Sequence, residues 1–216
     1  DKIVLDASLT LGLPPHVTAA TGIDAMVHAI EAYTSKRLKN SLSDMLAREA
    51  LRLLAGNIVV AVKQGDNLDA RGSMLLGAML AGQAFANAPV AAVHALAYPL
   101  GGNYHIPHGL SNSLVLPHVI RFNGPSAGDL YKEIAPLIMP GKSLPDDALV
   151  VTEMLAEHFL SLAEDLGLQT SLSQMNVPEG DLPKLAEEAM LQQRLLINNP
   201  REVSVDDSLE IYRQAY

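Results

Sequence analysis

Pro15-His16-Val17-Thr18-Ala19-Ala20-Thr21-Gly22-Ile23-Asp24-Ala25-Met26-Val27-His28-Ala29-Ile30 places apolar side chains at Val17, Ala20, Ile23, Met26, Val27 and Ile30, in steps of three and four residues. That period is helical, since a half-buried strand would alternate every second residue. Pro15 suits a first helical turn, where its missing N–H has no intrahelical partner to lose. The spacing predicts a helix over about 15–35 that is apolar nearly all round and therefore buried. Asp24 and His28 interrupt it four residues apart, so their side chains emerge on one face about one turn from each other. A buried carboxylate is costly without a partner. The pair reads either as a hydrogen-bonded or ionic core pair or as two ligands of one metal ion.

The helical period continues outward. Ser41-Leu42-Ser43-Asp44 offers an N-cap for a second helix through Leu51, Leu53 and Leu54 to about Val62, closed by Gly65 and Asp66. A third helix is predicted over about 68–86, with Gly72, Gly77 and Gly82 marking it as central and crowded. Residues 91–100 read as a short helix ended by Pro99, Gly101 and Gly102, and Pro107 opens another through Leu114, Leu116, Val119 and Ile120. Further helices are expected at about 126–138, 146–166, 181–197 and 204–215, the last opened by Ser204 and Asp207 at capping-box spacing. No sustained period-two run, internal repeat or low-complexity linker occurs. The expected fold is all-α, a multi-helix domain of about eight helices spanning 1–216, with residues 1–14 as a lead-in.

Composition narrows the function. The 216 residues include 15 Lys and Arg against 24 Asp and Glu, a formal charge of −9 that repels phosphate backbones and anionic membrane surfaces. Nucleic acid and membrane are therefore excluded as expected partners. No cysteine is present, which removes disulfides, thiolate metal sites and a cysteine nucleophile and is compatible with a reducing, cytoplasmic location. The longest nearly apolar stretches, Met74 to Ala81 and Ile58 to Val62, fall short of the roughly 18 residues a membrane span needs. The opening Asp1-Lys2-Ile3 has no Met and no signal-like region, so the chain reads as a piece of a longer polypeptide.

A second cluster adds donors. His94 lies in the apolar run Ala91 to Leu100, and His108 opens the next predicted helix after the loop Asn103-Tyr104-His105-Ile106. With Asp24 and His28 they make a set of three imidazoles and one carboxylate, which suits Fe(II), Zn(II), Co or Ni and leaves a position open for a substrate oxygen. His105 reads as a substrate-facing or supporting group. His16, His118 and His158 read as ordinary surface or core histidines. Ser111 and Ser113 follow His108, but the Gly-x-Ser-x-Gly elbow of a serine hydrolase is missing.

Thr18-Ala19-Ala20-Thr21-Gly22-Ile23-Asp24-Ala25-Met26-Val27-His28-Ala29-Ile30-Glu31-Ala32-Tyr33, then His94 to Gly102 and Pro107-His108-Gly109, resembles the iron-containing (group III) alcohol dehydrogenases. Ala189-Met190, Asn199-Pro200-Arg201 and Ile211-Tyr212 extend the likeness to the end of the chain. The resemblance implies a dehydroquinate synthase-like C-terminal helical domain with Asp24, His28, His94 and His108 as metal ligands. It further implies Fe(II), or Zn(II), as the ion and NAD(P) as cofactor in the full-length protein. Two departures stand out. Tyr98 occupies a position that is a second histidine near the nicotinamide in many members, and the glycine-rich loops of a dinucleotide-binding domain are missing.

The resemblance therefore implies a missing N-terminal nucleotide-binding domain as partner, and a fragment inactive by itself. Tyr98 and Thr10 would supply one wall of the cofactor cleft. The expected reaction is hydride transfer between a primary alcohol or aldehyde and NAD(P), with the metal as Lewis acid, in a homo-oligomer when full length. Three alternatives stay open: a superfamily relative acting on glycerol, lactaldehyde, butanol or maleylacetate; a helical metallohydrolase; and a non-catalytic helical interaction module.

Overall fold

A computed structural model describes residues 3–216, so Asp1 and Lys2 of the expected lead-in lie outside it. Among the described residues there are nine α-helices and no strand. They are α1 (Pro15–Thr34), α2 (Ser41–Lys63), α3 (Leu68–Asn87), α4 (Ala92–Tyr104), α5 (His108–Ile138), α6 (Ala148–Asp165), α7 (Leu182–Ala189), α8 (Gln193–Leu196) and α9 (Val205–Gln214). Short 3-10 turns lie at Ala7–Thr10, Ser173–Met175 and Glu179–Asp181. No single helix among the described residues is long and apolar enough to cross a membrane.

α1 is the centre. It packs against α2 and α3 on one side and α5 on the other. Fourteen of its 20 residues are buried, including Ile23, Met26, Val27 and Ile30. α4 lies on α5, α6 covers another part of α5, and α7 with α9 closes over α4.

The expectation of a central third helix is corrected: α3 buries six of its 20 residues and lines the outside of α1 and α2. Its glycines act singly. A Cβ on Gly77 would stand 2.8 Å from Leu54 Cγ, so α2 and α3 need glycine there, whereas Gly82 has open space around it.

Proline and glycine misplace several helix ends. α4 runs through Pro99, Gly101 and Gly102 to Tyr104, and stops at His105, which is left-handed (φ 56°, ψ 26°). The helices expected at 107–120 and 126–138 are one 31-residue helix, α5, with Pro117, Pro125 and Pro136 inside it. Each proline removes one backbone hydrogen bond, but α5 has twenty buried positions whose burial outweighs that loss. Conversely, the helix expected at 181–197 breaks at Gln192 (φ −83°, ψ 44°) into α7 and α8. Caps fare better: Ser204 and Asp207 form the reciprocal capping box, at 3.1 and 3.0 Å. At α2 the cap is Asn40, one residue before the expected Ser41, with its Oδ1 accepting the Ser43 N–H at 3.0 Å.

Candidate metal centre

Three helices bring the predicted donors together. On α1, Asp24, His28 and Glu31 follow one another by four and three residues, so a single stripe carries all three. His94 comes from the buried first turn of α4, and His108 is the first residue of α5. Gly109 sets how near α5 can come: a Cβ there would lie 2.5 Å from the Ala20 carbonyl oxygen of α1, an impossible contact.

Asp24 Oδ1 stands 3.9 Å from His28 Nε2 and 3.7 Å from both His94 Nε2 and His108 Nε2. One donor atom from each of the four side chains lies within 4.8 Å of all the others. The His28 and His94 rings stack at 4.8 Å, and Phe85 of α3 backs His28 at 4.5 Å. Exposure rises across the cluster: the His94 side chain is 3% exposed, Asp24 16%, His28 22% and His108 47%. The cluster therefore opens beside His108. Tyr98 lies on that rim, its ring 5.9 Å from the His108 ring.

Two more polar groups complete the arrangement. Glu31, 4% exposed, places one carboxylate oxygen 2.7 Å from His94 Nδ1 and accepts the Val93 N–H with the other at 2.7 Å. Asn112, one turn after His108, donates from Nδ2 to Asp24 Oδ1 at 2.5 Å, and the same nitrogen is 3.3 Å from His94 Nε2 and 3.2 Å from His108 Nε2. An amide nitrogen carries two hydrogens, so it cannot satisfy three acceptors. The Asn112 Oδ1 is buried with no partner among the described residues.

The donor set fits a divalent cation. Among the described residues, no lysine or arginine pairs with Asp24 or Glu31, so the titratable partners of these two shielded carboxylates are imidazoles. A charge of +2 would balance them, and nitrogen plus carboxylate donors suit Fe(II) or Zn(II). The imidazoles feel the same field. Burial lowers the His28 pKa, with Asp24 opposing it. In His94 burial is outweighed by Glu31 and Asp24, and the net shift is upward.

The other predicted residues fall elsewhere. Thr10 borders a cavity of about 140 Å³ between the lead-in, α1, α2 and α3, beside Leu13, Thr18 and Met74, and its hydroxyl donates to Ala7 O at 2.7 Å. His16 and His105 are exposed, His118 is buried and His158 half-buried, all outside the cluster. The Ser111 hydroxyl donates to Ile106 O at 3.3 Å. Sequence reasoning missed Glu31, Asn112 and Phe85. For Glu31 the signal was its place seven residues after Asp24, and for Asn112 its place four after His108.

The chain is also similar to known proteins. The profile of the Fe-containing alcohol dehydrogenase family, C-terminal, matches residues 18–216. The 1,3-propanediol dehydrogenase of Citrobacter freundii is 41% identical over 212 residues, which are 98% of this chain and 54% of that protein. The crystal structure of a 1,3-propanediol oxidoreductase superposes with a TM-score of 0.92 at 40% identity, over 98% of this chain and 55% of that one. Sulfoacetaldehyde reductase from Bifidobacterium kashiwanohense, solved in complex with NAD+, gives 0.85 at 28% identity over 97% and 53%. The chain thus spans about half the length of the relatives it matches. It belongs to the Fe-containing alcohol dehydrogenase family and matches that family's C-terminal part.

Proposed function

We propose that this chain is the metal-holding part of an alcohol dehydrogenase that interconverts a primary alcohol and its aldehyde with NAD(P). The observation that carries this reading is the convergence of Asp24, His28, His94 and His108 within 4.8 Å, with no lysine or arginine among the described residues to balance the carboxylates of Asp24 and Glu31. These four residues would hold the ion, Fe(II) by family membership with Zn(II) as the alternative. A bound divalent cation supplies Lewis-acid polarisation of the substrate oxygen.

The chain's own residues orient the reactants. His94 and Asp24 form the closed side of the site, and the half-exposed His108 with Tyr98 frames the side from which an alcohol oxygen can enter. Phe85 packs against the His28 ring and helps to fix its orientation. A nicotinamide bound at the rim would supply the acceptor for the hydride lost from the alcohol carbon, and the hydroxyl proton would pass to water. Tyr98 and Thr10 are proposed to face the cofactor, which a nucleotide-binding half, such as the relatives' extra length would provide, brings to the rim. The 1,3-propanediol relative supports a primary alcohol as substrate, and the NAD+ complex of the reductase supports the nicotinamide. The parent protein is proposed to be a homo-oligomer.

Elemental analysis after reconstitution with Fe(II) or Zn(II) tests the ligand set. About one equivalent is expected on the unaltered chain and almost none on Asp24→Ala or His94→Ala. In the full-length parent, the same substitutions should abolish alcohol-dependent NAD(P)H formation. Full metal occupancy in His94→Ala would sink the assignment.

A further inference from the structure

We infer that Glu31 is a positioning residue that fixes the tautomer of His94 and so decides which of its nitrogens faces the metal site; the inference rests on the metal reading above. A carboxylate only accepts hydrogen bonds. With Glu31 Oε2 2.7 Å from His94 Nδ1, that nitrogen must carry the hydrogen, and Nε2 turns its lone pair toward Asp24, His28 and His108. A neutral imidazole has one N–H, so the choice at Nδ1 settles Nε2.

Glu31 is itself held in place. Its Oε1 accepts the Val93 N–H at 2.7 Å, and Val93 is the second residue of α4, a helix whose N-cap, Ala91, offers no side-chain acceptor. One carboxylate on α1 thus caps the start of α4 and orients the histidine next to the capped residue. The positive end of the α4 dipole favours the negative charge there. The contact is 4% exposed on the Glu31 side and 2% on the His94 side, so water does not compete for it.

Glu31→Gln separates this from simple packing, because glutamine keeps the shape and changes the hydrogens. If its carbonyl continues to accept the Val93 N–H, its amide nitrogen faces His94 Nδ1 as a donor. Nδ1 must then accept, the hydrogen moves to Nε2, and the lone pair is lost from the site.

The test is nitrogen-15 NMR of the histidine rings in the metal-free chain, paired with Zn(II) affinity by chelator competition. The expected result is the Nδ1–H form of His94 in the unaltered chain and the Nε2–H form in Glu31→Gln, with zinc bound 10- to 100-fold more weakly by the variant. An unaltered chain with His94 in the Nε2–H form overturns the inference, and that measurement stands even where the variant fails to fold. Zinc affinity unchanged in a folded Glu31→Gln overturns it as well, while leaving the four-ligand reading intact. An unaltered chain that binds no zinc overturns the metal reading, and with it the service this orientation performs.

Discussion

His118 and His94 are both buried, in opposite surroundings. His94 faces two carboxylates, whereas His118 is 6% exposed with no hydrogen-bond partner at Nδ1. Burial, with the Arg121 charge adding to it, pushes the His118 pKa down to about 4 from an ordinary 6.5. The unfolded chain therefore takes up a proton at higher pH than the folded one. Stability from the neutral form is fully present above pH 6.5 and falls as the pH drops toward 4, by about 3 kcal/mol in total. Urea unfolding at pH 7 and pH 4.5 should show a smaller loss in His118→Met than in the unaltered chain. Equal losses would place the acid sensitivity elsewhere. At this scale the sequence was readable where covalent spacing fixes geometry, as with Asp24 and His28 on one helical face. Spacing put Glu31 and Asn112 on the faces of Asp24 and His108, but not their partners, because a buried acid or amide takes its meaning from what other helices bring to it.

Helix positions followed from apolar periodicity, but their ends did not always follow from breakers. α5 passes through three prolines because burial along its length outweighs local propensity, while α7 and α8 separate at Gln192 with no proline or glycine to mark the break. Gly109 is the element-scale position with the clearest consequence. In Gly109→Ala the new methyl would meet the Ala20 backbone, so the start of α5 must move off α1. A loss of about 2 to 3 kcal/mol is expected in denaturant unfolding. Because His108 is the neighbouring residue, zinc affinity should fall too, by about tenfold or more. Unfolding identical to that of the unaltered chain would mean that the two helices tolerate a wider spacing.

For the molecule as a whole, ligand binding and folding are linked. An ion that binds only the folded chain adds about 2.7 kcal/mol when present at 100 times its dissociation constant. In a chain of this size that corresponds to a rise in Tm of about 5 to 10 °C. Calorimetry with Zn(II) should show the rise in the unaltered chain and none in His94→Ala. A Tm indifferent to both zinc and chelator would favour the packing-only role for the polar cluster that the sequence left open. The all-helical architecture was legible from end to end because the apolar period is continuous. The central place of α1, and the outer place of α3, required the tertiary arrangement.

The uneven exposure of the four candidate ligands also bears on kinetics. His94 sits deep, whereas His108 is the most exposed of the four and begins a helix, where the first turn has the fewest hydrogen bonds to hold it. An ion in this site would exchange through that end. Opening the first turn of α5 would remove one ligand while the other three stay in place, so the residence time of a bound ion would be set by that local opening and not by the lifetime of the folded chain.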